Sequence, residues 1–471
     1  MREELFKKGI ATDIMKIIIS GAGSVGSALA KILVEEAHEV TVIDQRKNLL
    51  ADLANQCDLR IVEGFSCYPE ILEEASAGDA ELLVAVTADD EVNILTCQVA
   101  DALYKIPTKI ARLKSESYIF ERDRLFNSNA IKINEVVAPE RLVSERIAKL
   151  IEYPGAKNFY EFEDMHISLV EVTAFYGGPL VGNPLSTLTQ HLEFVDVNFV
   201  GIFRNNKPIM IAPNSIIEAG DEVYFVTATN HVREVMGLLQ RLENPYRKIM
   251  IYGGGTIGYT LAKLLENKYK VKLIDQSENN NSGNLANKLT KTLVFSDSTS
   301  LHEIFEKEEI DKCDFFLAVS SNDENNIISS MLAKNMGARK CATLIQQKEY
   351  FGISNDSIDI TISPQLSTLS ALLTFIRHAD IKKVQSLRLG LSEAMEIIIH
   401  GNSKTSQIIG KKIKDITLPQ GSLICALMRD GISYIDCENI EIANNDIILL
   451  FLSDKTHIRE IEKLVQPGAL F

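Results

Sequence analysis

The sequence predicts an α/β chain in which a Rossmann-like domain followed by a small α+β domain occurs twice. Three observations lead there. A β-branched run, a glycine loop and a helical stretch follow one another in "KIIISGAGSVGSALAKIL", Lys16 to Leu33. Nearly the same segment returns as "KIMIYGGGTIGYTLAKLL", Lys248 to Leu265. After each copy the pattern changes to short alternating strands separated by turns, as in a small β-rich unit.

The 471 residues, 46% of them apolar, suffice for several buried cores. With 49 basic against 64 acidic residues the net charge is −15, so the average surface repels a phosphate backbone and no nucleic acid is expected as partner. Apolar runs such as "ELLVAVT" and "DIILLFL" are far shorter than the roughly 20 residues that cross a bilayer. The opening "MREELFKKGIATDI" lacks the apolar centre of a secretory signal, which points to a cytoplasmic protein. Residues 1–14 read as an extension, with Met1 and Met15 both candidate starts. Seven cysteines lie scattered without a CxxC or a neighbouring histidine pair, as reduced core thiols do, and no metal site is expected.

In the first copy, "KIIIS" reads as a buried parallel strand and "SALAKILVEE" as the helix that follows. Gly21, Gly23 and Gly26 sit between them on the GxGxxG spacing: the first allows the turn, the second lets a pyrophosphate approach the backbone, and the third lets helix and strand pack closely. The helix amides would then face the phosphates. The next strand, "EVTVID", ends in Asp44, placed to accept both hydroxyls of an adenine ribose. A carboxylate there repels a 2′-phosphate, so NAD(H) is expected over NADP(H). The second copy repeats the set with Gly253, Gly255 and Gly258 after "KIMIY" and Asp275 closing "KVKLID".

The repeat extends further. "LLVAVTADDEVNIL" (Leu82 to Leu95) returns as "FFLAVSSNDENNII" (Phe315 to Ile328), a strand running into an acidic loop and a helix. "APERLVSERIAKLI" and "SPQLSTLSALLTFI" are proline-started amphipathic helices that leave each Rossmann-like unit. Their apolar stripes suit either a contact between chains or a core within one. Behind them come strands with hairpin turns at "RNNKP" and "RDG". In "EAGDEVYF", Asp221 and Glu222 read as a solvated turn. The expected division is a nucleotide-binding domain at 15–138, exit helix and linker at 139–162, small domain at 163–243, second nucleotide-binding domain at 247–363, exit helix at 364–384 and small domain at 385–471.

The order of segments, the duplication, and "GAGSVG", "VID", "VAVTADDEVN" and "EAGDEVYFV" resemble the regulatory subunits of Trk-type potassium uptake systems, built of paired RCK (KTN) domains. The likeness covers essentially Met15 to the end, with RCK_N and RCK_C domains each present twice. It implies a protein that is not an enzyme: a cytoplasmic ring, peripheral on the inner face of the membrane, that binds NAD(H) and adenine nucleotides such as ATP or ADP. Their occupancy is passed to a membrane-embedded potassium-translocating subunit, and a homotetramer is implied.

Carried over residue by residue, the resemblance puts Gly21, Ala22, Gly23, Ser24, Val25 and Gly26 at the phosphates and Asp44 and Gln45 at the ribose. Thr87, Asp90, Glu91 and Asn93 border the cleft, and Arg112 in "KIARLKS" would neutralise phosphate with its forked donors. The second half offers Gly253, Gly255, Thr256, Ile257 and Gly258, then Asp275 and Gln276, then Ser320, Asp323, Glu324 and Asn326. Two departures make the halves unequal. An acidic residue expected near the adenine is kept as Asp297 in "FSDSTS", but Phe65 takes its place in "EGFSCYP". Setting "KIARLK" against "KCATLI" puts Thr343 opposite Arg112, so the second site lacks a phosphate cation. The competing readings are an NAD-dependent oxidoreductase and an RCK-type regulator of another potassium channel or efflux system. Hydride transfer needs an acid or base and a substrate clamp, and none of the eight histidines is paired in a repeated way that would supply one.

Overall fold

The computed structural model describes residues 14–126, 131–190, 195–276, 282–296, 300–353, 358–377 and 380–465. The chain is α/β, with two parallel Rossmann-like sheets and two small antiparallel sheets.

The first sheet holds β1 (Lys16–Ser20), β2 (Glu39–Asp44), β3 (Arg60–Glu63), β4 (Leu82–Ala85), β5 (Thr108–Arg112) and β6 (Glu135–Val137) in the order β3-β2-β1-β4-β5-β6, all parallel. Every residue of β1 but Lys16 is buried, because helices cover both faces of such a sheet and leave no solvent side for polar residues. Helix α1 (Ser24–Glu35) follows β1, α2 (Lys47–Ala54) follows β2, and α3 (Asp90–Val99) follows β4. The strand order reverses between β1 and β4, the point at which open α/β sheets leave a ligand crevice. Helix α4 (Pro139–Glu152) then leads out, with proline at its start.

The first small sheet has the order β10-β9-β11-β8-β7, built from β7 (Ala156–Phe162), β8 (Ile167–Thr173), β9 (Val197–Arg204), β10 (Lys207–Ile209) and β11 (Glu222–Ala228), and α5 (Val232–Leu239) closes it. The hairpin between β9 and β10 turns on Asn205 and Asn206, both at positive φ, as a primed two-residue turn requires. Residues 156–162, expected as linker, are the strand β7, paired antiparallel with β8.

The second half repeats the architecture. Its parallel sheet runs β14-β13-β12-β15-β16-β17, from β12 (Lys248–Tyr252), β13 (Lys270–Ile274), β14 (Leu293–Phe295), β15 (Phe315–Ala318), β16 (Lys340–Leu344) and β17 (Ile360–Ile362). Helices α6 (Thr256–Leu265), α7 (Asp323–Asn335) and α8 (Pro364–Ile376) correspond to α1, α3 and α4. The last sheet has the order β18-β19-β22-β20-β21, with β18 (Ile381–Leu387), β19 (Ser392–Ile398), β20 (Ser422–Arg429), β21 (Ile432–Tyr434) and β22 (Ile447–Leu452), and α9 (Ile458–Val465) ends it. β18 begins four residues before the boundary at 385 expected for this domain.

The two halves are interlocked through their exit helices. Val143 and Ile147 of α4 share a core with Leu261 and Leu265 of α6, while Leu369, Leu372 and Ile376 of α8 share one with Leu29 and Leu33 of α1. The apolar stripes that left two readings open are therefore buried within the chain. The small sheets meet in a third core, where Tyr224 and Phe451 have ring centroids 6.3 Å apart. Each glycine helix is thus covered by the exit helix of the other half.

The "EAGDEVYF" turn is not solvated as expected. Asp221 is buried and accepts from Arg204 Nε at 2.8 Å and Nη2 at 2.9 Å, and the second half repeats the pair with Asp446 and Arg429 at 2.7 Å. The arginine stands on the adjacent strand, where cross-strand register places it against the carboxylate.

Candidate functional site

Helix α1 has Gly23 as its N-cap and α6 has Gly255; neither start carries a side-chain cap or an acidic residue in its first turn. The first amides of a helix have no acceptor within it, and the dipole there favours an anion. A Cβ built on Gly26 would lie 1.8 Å from the Gly21 carbonyl oxygen, and one on Gly258 the same 1.8 Å from that of Gly253, so helix and loop backbones touch. Ser24 and Thr256 stand exposed at the helix starts, while Val25 packs inward and Ile257 is half-buried. These two cradles, bare of acid and tight at the backbone, fit a dinucleotide pyrophosphate.

Asp44 closes β2 beside the first cradle. Its Oδ2 accepts from the Ala22 amide at 2.7 Å, and its Oδ1 accepts from Arg46 at the backbone nitrogen (2.9 Å) and Nε (3.1 Å). Burial opposes ionisation of this carboxyl, but the Arg46 and Ala22 hydrogen bonds outweigh it and hold the group below the usual range. Gln45 beside it is exposed. In the second half Asp275 is buried, and Gly254 is where the first half has Ala22: a Cβ there would stand 2.4 Å from Asp275 Cγ. Gln276 follows at the strand end, and Asp297 lies outside the described residues. Phe65, which stands where the first half lacks that acid, is half-exposed against Tyr68.

Several of the loop residues expected to border the ligand are hydrogen-bonded within the chain, while Glu91 and Glu324 stay exposed. Asn93 is fully buried; its Oδ1 accepts from the Thr87 amide (2.9 Å) and hydroxyl (2.7 Å), and its Nδ2 donates to the Arg112 carbonyl at 2.9 Å. Asp90 accepts from the amides of Lys114 and Ser115 at 3.0 and 2.8 Å. Ser320, Asn326 and Asp323 repeat the pattern, with Asn326 Nδ2 donating to the Leu344 carbonyl at 3.0 Å and Asp323 accepting from Gln346 and Gln347. These residues fix the strand ends that form the cleft floor.

This repeated network also corrects the pairing of the halves. The carbonyl that takes the asparagine is on Arg112 in one half and on Leu344 in the other, so Arg112 corresponds to Leu344 and not to Thr343. Thr343 is buried and donates to Ser330 Oγ at 2.6 Å. The similarity of "KIA" to "KCA" hides a one-residue slip, which in a strand exchanges the two faces. Leu344 is apolar, so the position opposite Arg112 carries no cation. The Arg112 guanidinium lies 3.6 Å from Glu140, the second residue of α4, with its Nε buried and without a hydrogen bond.

Arg46, Glu140 and Gln365 touch candidate site residues and were not singled out in the sequence. Gln365 of α8 donates through Nε2 to the Ser24 carbonyl at 2.6 Å, directly at the start of α1. A cleft of about 490 Å³ opens there between the halves, lined by Ser24, Ser27 and Lys31 on one side and by Asn322, Glu324 and Gln347 on the other. Only the two-residue step from Asp44 to Arg46 was visible in sequence; the other two contacts depend on the interlocked helices.

Comparison with known proteins agrees with the duplicated architecture. The TrkA-N domain model matches residues 17–139 and 249–364, and the TrkA-C domain model matches 169–240 and 403–466. Over 458 residues the chain is 46% identical to the Trk system potassium uptake protein TrkA of Haemophilus influenzae, and 46% identical to that of Vibrio alginolyticus, covering 97% of this chain and 100% of each relative. Two solved structures share the fold at a TM-score of 0.59 and 14% identity: "GsuK channel bound to NAD", over 97% of this chain and 79% of that one, and "Crystal Structure of the GsuK RCK domain", over 97% and 96%. With full-length identity to curated relatives and both domain models present twice, the chain belongs to the family of Trk system potassium uptake proteins TrkA.

Proposed function

We propose that this protein is the cytoplasmic, nucleotide-sensing regulatory subunit of a Trk-type potassium uptake system. It binds NAD(H), and ATP or ADP, at the two glycine cradles and gates a membrane-embedded potassium-translocating subunit from the inner face of the membrane, as a homotetramer. It performs no chemistry on its ligands. The observation that carries the reading is the interlocking: each cradle's helix packs against the exit helix of the other half. A ligand that alters one cradle is thereby felt by the other half and by its small sheet. Bound dinucleotide supplies charge and shape to that equilibrium. The residues around it do the work: uncapped helix amides hold phosphate, Asp44 and Asp275 hold ribose hydroxyls, and Arg112 adds a cation at the first site only.

A ligand shifts such a system only as far as its affinities for the two arrangements differ, so NAD(H) and ATP must favour different ones. The test is calorimetric titration of the full chain with NADH and ATP, beside Asp44→Ala and Asp275→Ala, followed by potassium flux with the membrane subunit. Two saturable sites per chain, each lost with its own aspartate, and flux that follows occupancy are expected. Absence of binding at millimolar ligand would leave the cradles as scaffold and end the reading.

A further inference from the structure

Arg46 lies between the two parts of the first site. Besides its contacts to Asp44 Oδ1, its Nη2 donates to Asp44 Oδ2 at 3.3 Å, and a Cβ built on Gly23 would stand 4.0 Å from the same Nη2. The guanidinium therefore covers the carboxylate and reaches over the second glycine of the loop, where a ribose and its phosphates would pass. It is not locked there: its side chain is 61% exposed, against 9% for Asp44. Lys47 follows, also exposed. A Cβ on Gly255 meets nothing within 4 Å among the described residues, and the residue two places after Asp275 is Ser277, which lies outside them.

We propose that Arg46 lets the first site accept, beside NAD(H), a 2′-phosphorylated dinucleotide of the NADP(H) class, while the second site takes NAD(H) alone. This rests on the dinucleotide reading of the cradles. A ribose diol settling on Asp44 has to displace the guanidinium and offers it no anion in return. A 2′-phosphate offers it a forked acceptor, and Asp44 keeps its backbone donors from Ala22 and Arg46. The carboxylate alone argues against a 2′-phosphate; carboxylate and guanidinium together present a neutral pair with a movable cation. The first half would then also report on the 2′-phosphorylated dinucleotide pool, through one interlocked body.

The test is titration of the full chain with NADPH and with NADH, in wild type, Arg46→Ser and Arg46→Lys, with matching circular dichroism to show that the fold is kept. We expect wild type to bind NADPH at one site per chain, Arg46→Ser to weaken NADPH by about 10- to 100-fold and NADH by less than about threefold, and Arg46→Lys to fall between. An unchanged NADPH-to-NADH ratio in Arg46→Ser, or exclusion of NADPH by a wild-type chain that binds NADH, overturns the assignment and leaves the dinucleotide reading standing. Failure of both ligands to bind wild type removes that reading and this inference with it.

Discussion

Arg377, at the end of helix α8, donates through Nη2 to Glu36, at the end of helix α1, at 2.9 Å, so a charge on one half's exit helix is bound to the glycine helix of the other. Its Nη1 donates to Glu393 of β19 at 2.6 Å, and Lys455 stands 3.3 Å from the other oxygen of that carboxylate. Arg377 and Glu393 are almost wholly buried. Removing one partner of such a cluster strands the rest without compensation. Arg377→Met should cost on the order of 3–5 kcal/mol in chemical denaturation, most of it the penalty of a buried Glu393 left with Lys455 alone. A loss of less than about 1 kcal/mol would mean that Lys455 alone suffices.

The same cluster sets an acid limit. Burial opposes ionisation of Glu393, but Arg377 and Lys455 hold its carboxyl below the ordinary value of 4.5. The unfolded chain therefore takes up the proton first, so the stability Glu393 contributes is complete above that value and is lost as pH falls below it. Glu36 has the opposite sign: burial outweighs Arg377 and pushes its carboxyl up, so its contribution improves on acidification toward 4.5. Stability measured between about pH 6 and 3 should fall on the acid side in wild type, and Glu393→Gln should make that acid-side slope shallower, the remainder coming from other depressed carboxyls such as Asp44, Asp221 and Glu266. An identical slope in both would place the acid sensitivity elsewhere.

Much of this was legible in the sequence because it is local. The glycine loops, the strand-ending aspartates and the duplication are written in contiguous residues, and the backbone contact of Gly26 with Gly21 is what the GxGxxG spacing encodes. What was not legible depends on distant segments. Asn93 and Asp90 read as an acidic loop facing a ligand, yet their partners are the carbonyl of Arg112 at the end of β5 and the amides of Lys114 and Ser115 in the loop that follows. Asp221 read as solvated because Arg204 is far from it in the chain, though adjacent across the sheet. The exit helices showed an apolar stripe without saying which surface covers it. Burial on α1 and α6 answers that, and only tertiary structure carries the answer.

Arg112 bears on the inequality of the two sites. Its ion pair with Glu140 is loose at 3.6 Å and its buried Nε makes no hydrogen bond among the described residues, so a ligand phosphate would offer the guanidinium a fuller set of acceptors. Arg112→Ala should weaken ATP and NADH at the first site by about tenfold and leave the second site unchanged, as charge-assisted contacts of this kind contribute. Site-resolved calorimetry decides it: an undiminished first-site affinity would show that the arginine serves Glu140 and not a ligand.

Ala22 and Gly254 occupy the same place in the two glycine loops but are not interchangeable. Beside Ala22, Asp44 is held back by its hydrogen bonds to Arg46, and the methyl group is accommodated. Beside Gly254, Asp275 comes so close that an added Cβ would stand 2.4 Å from its Cγ and 2.6 Å from its Oδ2, well inside any allowed contact. Gly254→Ala should therefore drive the Asp275 carboxylate off its position, because the backbone of the loop is pinned by the contact between Gly258 and Gly253 and cannot yield instead. The expected result is a chain that keeps its first-site ligand and loses its second, so the calorimetric stoichiometry halves, while Ala22→Gly leaves both. Two ligands per chain at undiminished affinity in Gly254→Ala would show that Asp275 is not needed for binding there, and would remove the carboxylate from the account of the second site.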